Sequence, residues 1–265
     1  MTVSPPRGTW GSALTADEFA AIRGTGFEPV GQVFGAAVYS SASTGMYGCP
    51  GTAAPANLAP FRPLVQAMYE ARRVSIDRMV GQCAGLGGHG VVGVRLTQGD
   101  FRLGGLEFTA IGTAVRAPGV ASAPPGPQSP FTSDLSGQDF AKLVTAGWVP
   151  AGLALGISVG ARHDDLATTR QTRWTAGNVE VAGWTELVGH CRHEARRALD
   201  DDVRRLGADG VVIAAMRMRV RTRDCPSHVG RRDHVVEVTL IGTAIAAFSG
   251  FAFQPRNCLD LRRAP

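Results

Sequence analysis

The chain has 265 residues, of which 44% are hydrophobic and 18% charged, with a formal net charge of +5. That is a globular composition, rich enough in apolar residues to build a core in each half, and it excludes a disordered chain. The charge is spread over both halves, so neither is a basic nucleic-acid arm, and no run of eighteen apolar residues exists to span a membrane.

Met1 to Arg7 carries no apolar stretch of a secretory signal. The five cysteines, Cys49, Cys83, Cys191, Cys225 and Cys258, are odd in number, scattered and free of any CxxC spacing. Reduced thiols in a cytoplasm explain this better than a disulfide framework. Lys142 is the one lysine among 27 basic residues, an arginine bias that fits a GC-rich bacterial gene.

Residues 1–13 read as a leader. Thr15-Ala16-Asp17-Glu18 fits a helix capping box, and Gly24 and Gly26 stop the short helix that follows. The stretch Gly26-Phe27-Glu28-Pro29-Val30-Gly31 to Gly35 comes next, and it recurs as Gly147-Trp148-Val149-Pro150-Ala151-Gly152 to Gly156, 121 residues later. The same offset carries Leu14 to Leu135, Phe19 to Phe140 and Ala20 to Ala141. The chain is therefore a tandem of two related units.

Val30–Tyr39 and Leu153–Val159 are apolar on successive residues, the pattern of strands buried on both faces. Gly31, Gly35, Gly152 and Gly156 within them predict bends or close backbone approach. Residues 40–60 read as a loop; the matching segment 161–183 is more polar. A long helix is predicted over about Leu64–Leu86 and another over about Trp184–Leu206. Glu70-Ala71-Arg72-Arg73 and Glu194-Ala195-Arg196-Arg197 align at an offset of 124, which implies four extra residues near Gly81 in the first helix. Two strands close each unit: Val91–Thr97 and Leu106–Arg116, then Val211–Arg223 and His234–Ala247. The last strands share Ile111-Gly112-Thr113-Ala114 and Ile241-Gly242-Thr243-Ala244. Residues 117–132, rich in proline, read as an exposed linker without regular structure, and residues 248–265 as a tail. The units are thus 14–116 and 133–247.

These motifs, in this order and twice, resemble the YbjQ-like family, whose usual label is a heavy-metal-binding domain. The resemblance covers most of the chain outside leader, linker and tail. It implies an α+β, dodecin-like fold in each unit: a small antiparallel sheet with one long helix and a short N-terminal helix. It also implies assembly into a ring, commonly a pentamer. It supplies no catalytic residues.

Several patterns carry chemistry on paper. Gly156-Ile157-Ser158-Val159-Gly160 spells a nucleophile elbow, yet it lies inside an apolar strand, where the elbow needs a strand-to-helix turn. Gly85 to Gly90 spells a dinucleotide fingerprint, yet it closes a helix where the fingerprint must open one. His190, His193 and Glu194 stand at i, i+3 and i+4, with Cys191 beside them, and could offer a transition metal several ligands from one helix face. The competing reading is a solvated polar face. Arg217, Arg219, Arg221 and Arg223 alternate along one strand and share a side, where they could hold an anion or nucleic-acid phosphates. The competing reading is a charged stripe that guards an edge. The sequence points to a non-enzymatic, cytoplasmic, ring-forming binding or scaffold protein, a cyclic homo-oligomer of five chains, with its small ligand open.

Overall fold

The computed structural model describes residues 11–40, 61–101, 105–117, 129–225, 229–230 and 232–247. The 40–60 loop and the tail lie almost wholly outside these residues. The first unit runs α1 (Ala16–Gly24), β1 (Glu28–Ser40), α2 (Arg62–Gly85), β2 (Gly90–Phe101) and β3 (Gly105–Arg116). The second begins at β4 (Phe131–Thr132) and continues with α3 (Gly137–Thr145), β5 (Trp148–His163), α4 (Leu166–Gln171), α5 (Ala182–Arg205), β6 (Gly210–Asp224) and β7 (Arg232–Ala247).

Both short helices start as their sequences dictate. Thr15 and Glu18 form the reciprocal capping box. Ser136 caps α3 through the Asp139 N–H at 3.1 Å. The sequence missed α4, which starts at Asp165 where the carboxylate accepts from the Thr168 N–H at 2.7 Å.

Each unit folds an antiparallel sheet with its third strand in the middle, β1-β3-β2 and β5-β7-β6. The two sheets share register irregularities at Pro29/Gly31 and Pro150/Gly152, and at Val92/Arg95 and Ile213/Ala215. Val92 faces Thr113 as Val212 faces Thr243. The long helix crosses the first strand of its sheet at a glycine. A Cβ on Gly35 would stand 1.9 Å from the Ser75 carbonyl oxygen, and one on Gly156 would stand 2.1 Å from that of Ala195. Only a residue without a side chain permits that approach.

Those contacts correct the helix alignment. Ser75 matches Ala195, an offset of 120, and α2 and α5 have 24 residues each. The buried residues Ala71, Met79 and Cys83 then fall opposite Cys191, Leu199 and Val203. No extra turn exists, and the two Glu-Ala-Arg-Arg segments sit one turn apart. One turn is about 3.6 residues, so a slip of four keeps exposed residues exposed and leaves the sequence match plausible.

The end of the proline-rich stretch is not irregular. β4 pairs in parallel with Gly90 and Val91 of β2, adding a fourth strand to the first sheet. Nor are the units separate: Leu153, Leu155 and Ile241 of the second lie in one apolar cluster with Val33, Met79, Leu96 and Ala110 of the first.

Candidate functional site

The joint between the units is the first candidate surface. Residues on β5 alternate. Ala154 faces α5 and its own core, while Leu153, Leu155, Ile157 and Val159 face the first unit. There they meet α2 and the helix side of β2, not the outer face of the first sheet. The contact is therefore head-to-tail. Burying side chains of this size contributes about 1.5–3 kcal/mol each. The free edge of β5 is held as well. Tyr69 of α2 accepts from the Ile157 N–H at 2.8 Å, Asp202 of α5 accepts from the Leu155 N–H at 2.8 Å, and Thr132 accepts from the Leu153 N–H at 3.0 Å. Burial raises the Tyr69 hydroxyl above the usual phenol range.

Each half of this joint has an equivalent elsewhere on the chain that is bare. Leu155 is 6% exposed and Val159 2%, whereas their partners on β1, Phe34 and Val38, are 45% and 50% exposed. Leu96 on the helix side of β2 is 6% exposed, whereas its partner on β6, Met216, is 53% exposed. The strand addition is one-sided too. Ser133 donates its N–H to Val91 and accepts from the Val94 N–H, while the matching edge of β6 adjoins no strand among the described residues.

The arginine stripe begins at the joint. Arg217 donates to the Leu96 carbonyl at 3.3 Å. With Arg72, Arg219 and Glu237 it surrounds a cavity of about 20 Å³, room for a water molecule and no more. Arg72 is buried over the Phe108 ring, and burial lowers its pKa to about 10. Arg223, at the far end, binds Asp233. Arg217, Arg219 and Arg221 are all exposed, so three of the four present charge to solvent.

On α5, His193 is exposed and His190 and Glu194 are half-buried; Glu194 pairs with Arg197 at 3.1 Å. Cys191 points the other way, into the core of the second unit, where burial pushes its thiol up to about 11. By the corrected alignment the matching residues of α2 are Glu70, Ala71, Arg73 and Val74. Ser158 is buried in the continuous strand β5, and Gly85 to Gly90 spans the end of α2 and the start of β2. A wide cleft, about 820 Å³, runs between α2 and α5 over β5, lined by Tyr69, Glu70, Asp77, Asp201, Asp202 and Arg205 among others.

The structure also gathers Cys225 and His234, which the sequence offers as further ligands for the α5 histidines, with His163, Asp164 and Asp233 instead. His163 ends β5 and faces Asp233 in the ladder. Its Nδ1 contacts Asp233 Oδ1, and its Nε2 lies 3.5 Å from Sγ of Cys225. Beside them His234 Nε2 pairs with Asp164 at 3.1 Å, and Trp184 donates to Asp164 at 3.0 Å. These residues come from three separated segments, so only the strand register could have linked them. Carboxylate, imidazole and thiol in line match the order of a nucleophile and its base. His163, Cys225 and Asp233 are all buried, and neither cleft above reaches them.

A family model described as "Putative heavy-metal-binding", YbjQ_1, matches residues 56–118, which takes in α2, β2 and β3. The chain is 35% identical over 207 residues to a Mycobacterium tuberculosis protein named encapsulin nanocompartment protein Rv1762c, covering 76% of this chain and 75% of that one. It is 44% identical over 55 residues to a UPF0145 protein of Vibrio campbellii, 21% of this chain and 53% of that one. It is 38% identical over 50 residues to a UPF0145 protein of Clostridium perfringens, 19% of this chain and 47% of that one. No helix among the described residues is long and apolar enough to cross a membrane.

Proposed function

The chain belongs to the YbjQ-like family, and from that membership we propose that it is a non-enzymatic, cytoplasmic scaffold protein that assembles with copies of itself into a closed ring. One observation carries the reading. The surface that buries Leu155 and Val159 inside the chain is repeated, uncovered, at Phe34 and Val38, and the surface that receives Leu155 beside Leu96 is repeated, uncovered, at Met216. A second copy is the occupant both bare faces fit, because each already has a solved partner within the chain.

The joint is heterologous, since one face of a unit meets a different face of the next. Such contacts propagate until the rotation closes. Closure also removes the exposed edges of β1 and β6. Five chains, ten units, is the stoichiometry the family resemblance favours. The name of the mycobacterial relative refers to a compartment, which agrees with a self-associating protein.

Anion binding at Arg219 and Arg221 is the second reading, favoured by the exposure of these two charges beside the engaged Arg217 and Arg223. An affinity for polyphosphate that falls steeply with salt would support it.

The assembly reading is tested by native mass spectrometry and light scattering at micromolar concentration. A closed ring of chains of 27.8 kDa is expected; a monodisperse monomer overturns it.

A further inference from the structure

Among the described residues, the second unit carries a piece of sheet that the first does not. In the first unit the β2–β3 ladder ends at Phe101 and Gly105, the pair that matches Arg221 and Val235. The second unit adds the pairs Thr222 with His234, Arg223 with Asp233, and Asp224 with Arg232. His163 joins this extension from β5, and Cys225 is the residue after β6. The cluster of His163, Cys225 and Asp233 therefore stands on added structure, outside the 56–118 segment that the heavy-metal family model matches.

Its chemistry is specific. The ligand atoms of the three residues lie within 4.8 Å of one another. Asp233 Oδ1 sits against His163 Nδ1, and its other oxygen accepts from Arg223 Nε at 3.2 Å. The Asp233 carboxylate in contact with Nδ1 favours the tautomer protonated there, which leaves Nε2 as the donor atom facing the thiol. Bonds of about 2.0–2.1 Å to imidazole nitrogen and about 2.3 Å to thiolate sulfur give a tetrahedral N···S edge of about 3.5 Å. The observed Nε2···Sγ separation is 3.5 Å. Burial keeps bulky electrophiles from the thiol, whereas a single ion needs little room.

We propose that His163 Nε2 and Cys225 Sγ bind one thiophilic metal ion of the zinc class per chain, with Asp233 as the positioning residue behind the imidazole. Binding replaces the thiol proton with the metal–sulfur bond and releases that proton to solvent. The proposal is independent of ring formation, because all three residues belong to one unit of one chain.

The test uses the full chain, free of any histidine tag, stripped of metal and titrated with Zn²⁺ and with Cd²⁺. Calorimetry should give one equivalent per chain, and Cd²⁺ should raise the ultraviolet thiolate-to-metal charge-transfer band. Cys225→Ser should abolish the band. Asp233→Asn, which keeps the side-chain shape, should weaken binding about 10–100-fold, the usual effect of removing a group that orients a ligand. The double variant His190→Ala, His193→Ala should bind as the wild type does. Should Cys225→Ser fail to fold, the wild-type band and the Asp233→Asn titration still decide. No saturable binding by the wild type, binding without the thiolate band, or loss of binding in the His190/His193 variant overturns the proposal.

Discussion

The hydroxyl of Tyr69, on the long helix of the first unit, accepts the backbone N–H of Ile157 in the second unit at 2.8 Å and reaches the Leu155 carbonyl at 3.4 Å. One side chain thus closes the open edge of a neighbouring sheet. Tyr69→Phe keeps the ring packing and leaves the Ile157 N–H buried without its acceptor. A loss of about 1–3 kcal/mol in stability is expected, read as a lower midpoint in urea unfolding with an unchanged slope. No change in midpoint would mean that the edge is not sealed by this contact.

Gly35 and Gly156 mark where helix meets strand in each unit. Alanine at either places its Cβ about 2 Å from a helix carbonyl, with Ser75 and Ala195 as the obstacles. Helix and strand would have to part along their length, and a destabilisation of at least ~3 kcal/mol is expected for each. Gly99→Ala is the control, since nothing lies within 4 Å of its Cβ position. It should stay within about 0.5 kcal/mol of wild type by the same unfolding measurement.

Those glycines were legible in the sequence because a backbone contact forbids every substitute. The two-unit plan, the caps and the alternation of strands were legible for like reasons: each rests on local chemistry repeated at a fixed interval. The helix register was not. Glu70, Arg73, Arg196 and Arg197 are exposed, and such charges recur by helical surface chemistry, so the Glu-Ala-Arg-Arg match slipped by a turn, while Ser75 and Ala195, which fix the register, look unlike each other. The His163, Cys225 and Asp233 cluster was hidden because cross-strand pairing, not sequence spacing, brings it together. The role of β4 was hidden because two residues are too few to show a period.

Cys83 and Cys191 lie fully buried, and burial pushes both thiols up to about 11. The thiolate is the reactive form, and at pH 8 only about one thiol in a thousand is ionised at such a value. Both should resist iodoacetamide in the folded protein at pH 8 and react promptly in denaturant, as read by peptide mass. The fraction ionised rises tenfold per pH unit, so any native-state labelling should climb toward pH 10. Rapid labelling of either at pH 7 would contradict the burial of these helix faces.

The head-to-tail reading makes a demand that a symmetric dimer cannot meet. Phe34→Glu spoils one face of the chain and leaves the β6 face intact; Met216→Glu does the reverse. Both positions are exposed in the single chain, so neither charge should cost the isolated chain more than about 0.5 kcal/mol. Each variant alone should be monomeric by native mass spectrometry, because every contact between like chains then includes one spoiled face. Mixed in equal amounts, they retain one good pairing, the β6 face of the Phe34→Glu chain with the β1 face of the Met216→Glu chain. The product should be a one-to-one heterodimer that grows no further, since both outward faces carry glutamate. If the face were isologous, with β1 meeting β1, Met216→Glu alone would still assemble and the mixture would give no heterodimer. That outcome would replace the ring with a two-fold pair and would leave the intrachain joint as a contact without a copy between chains.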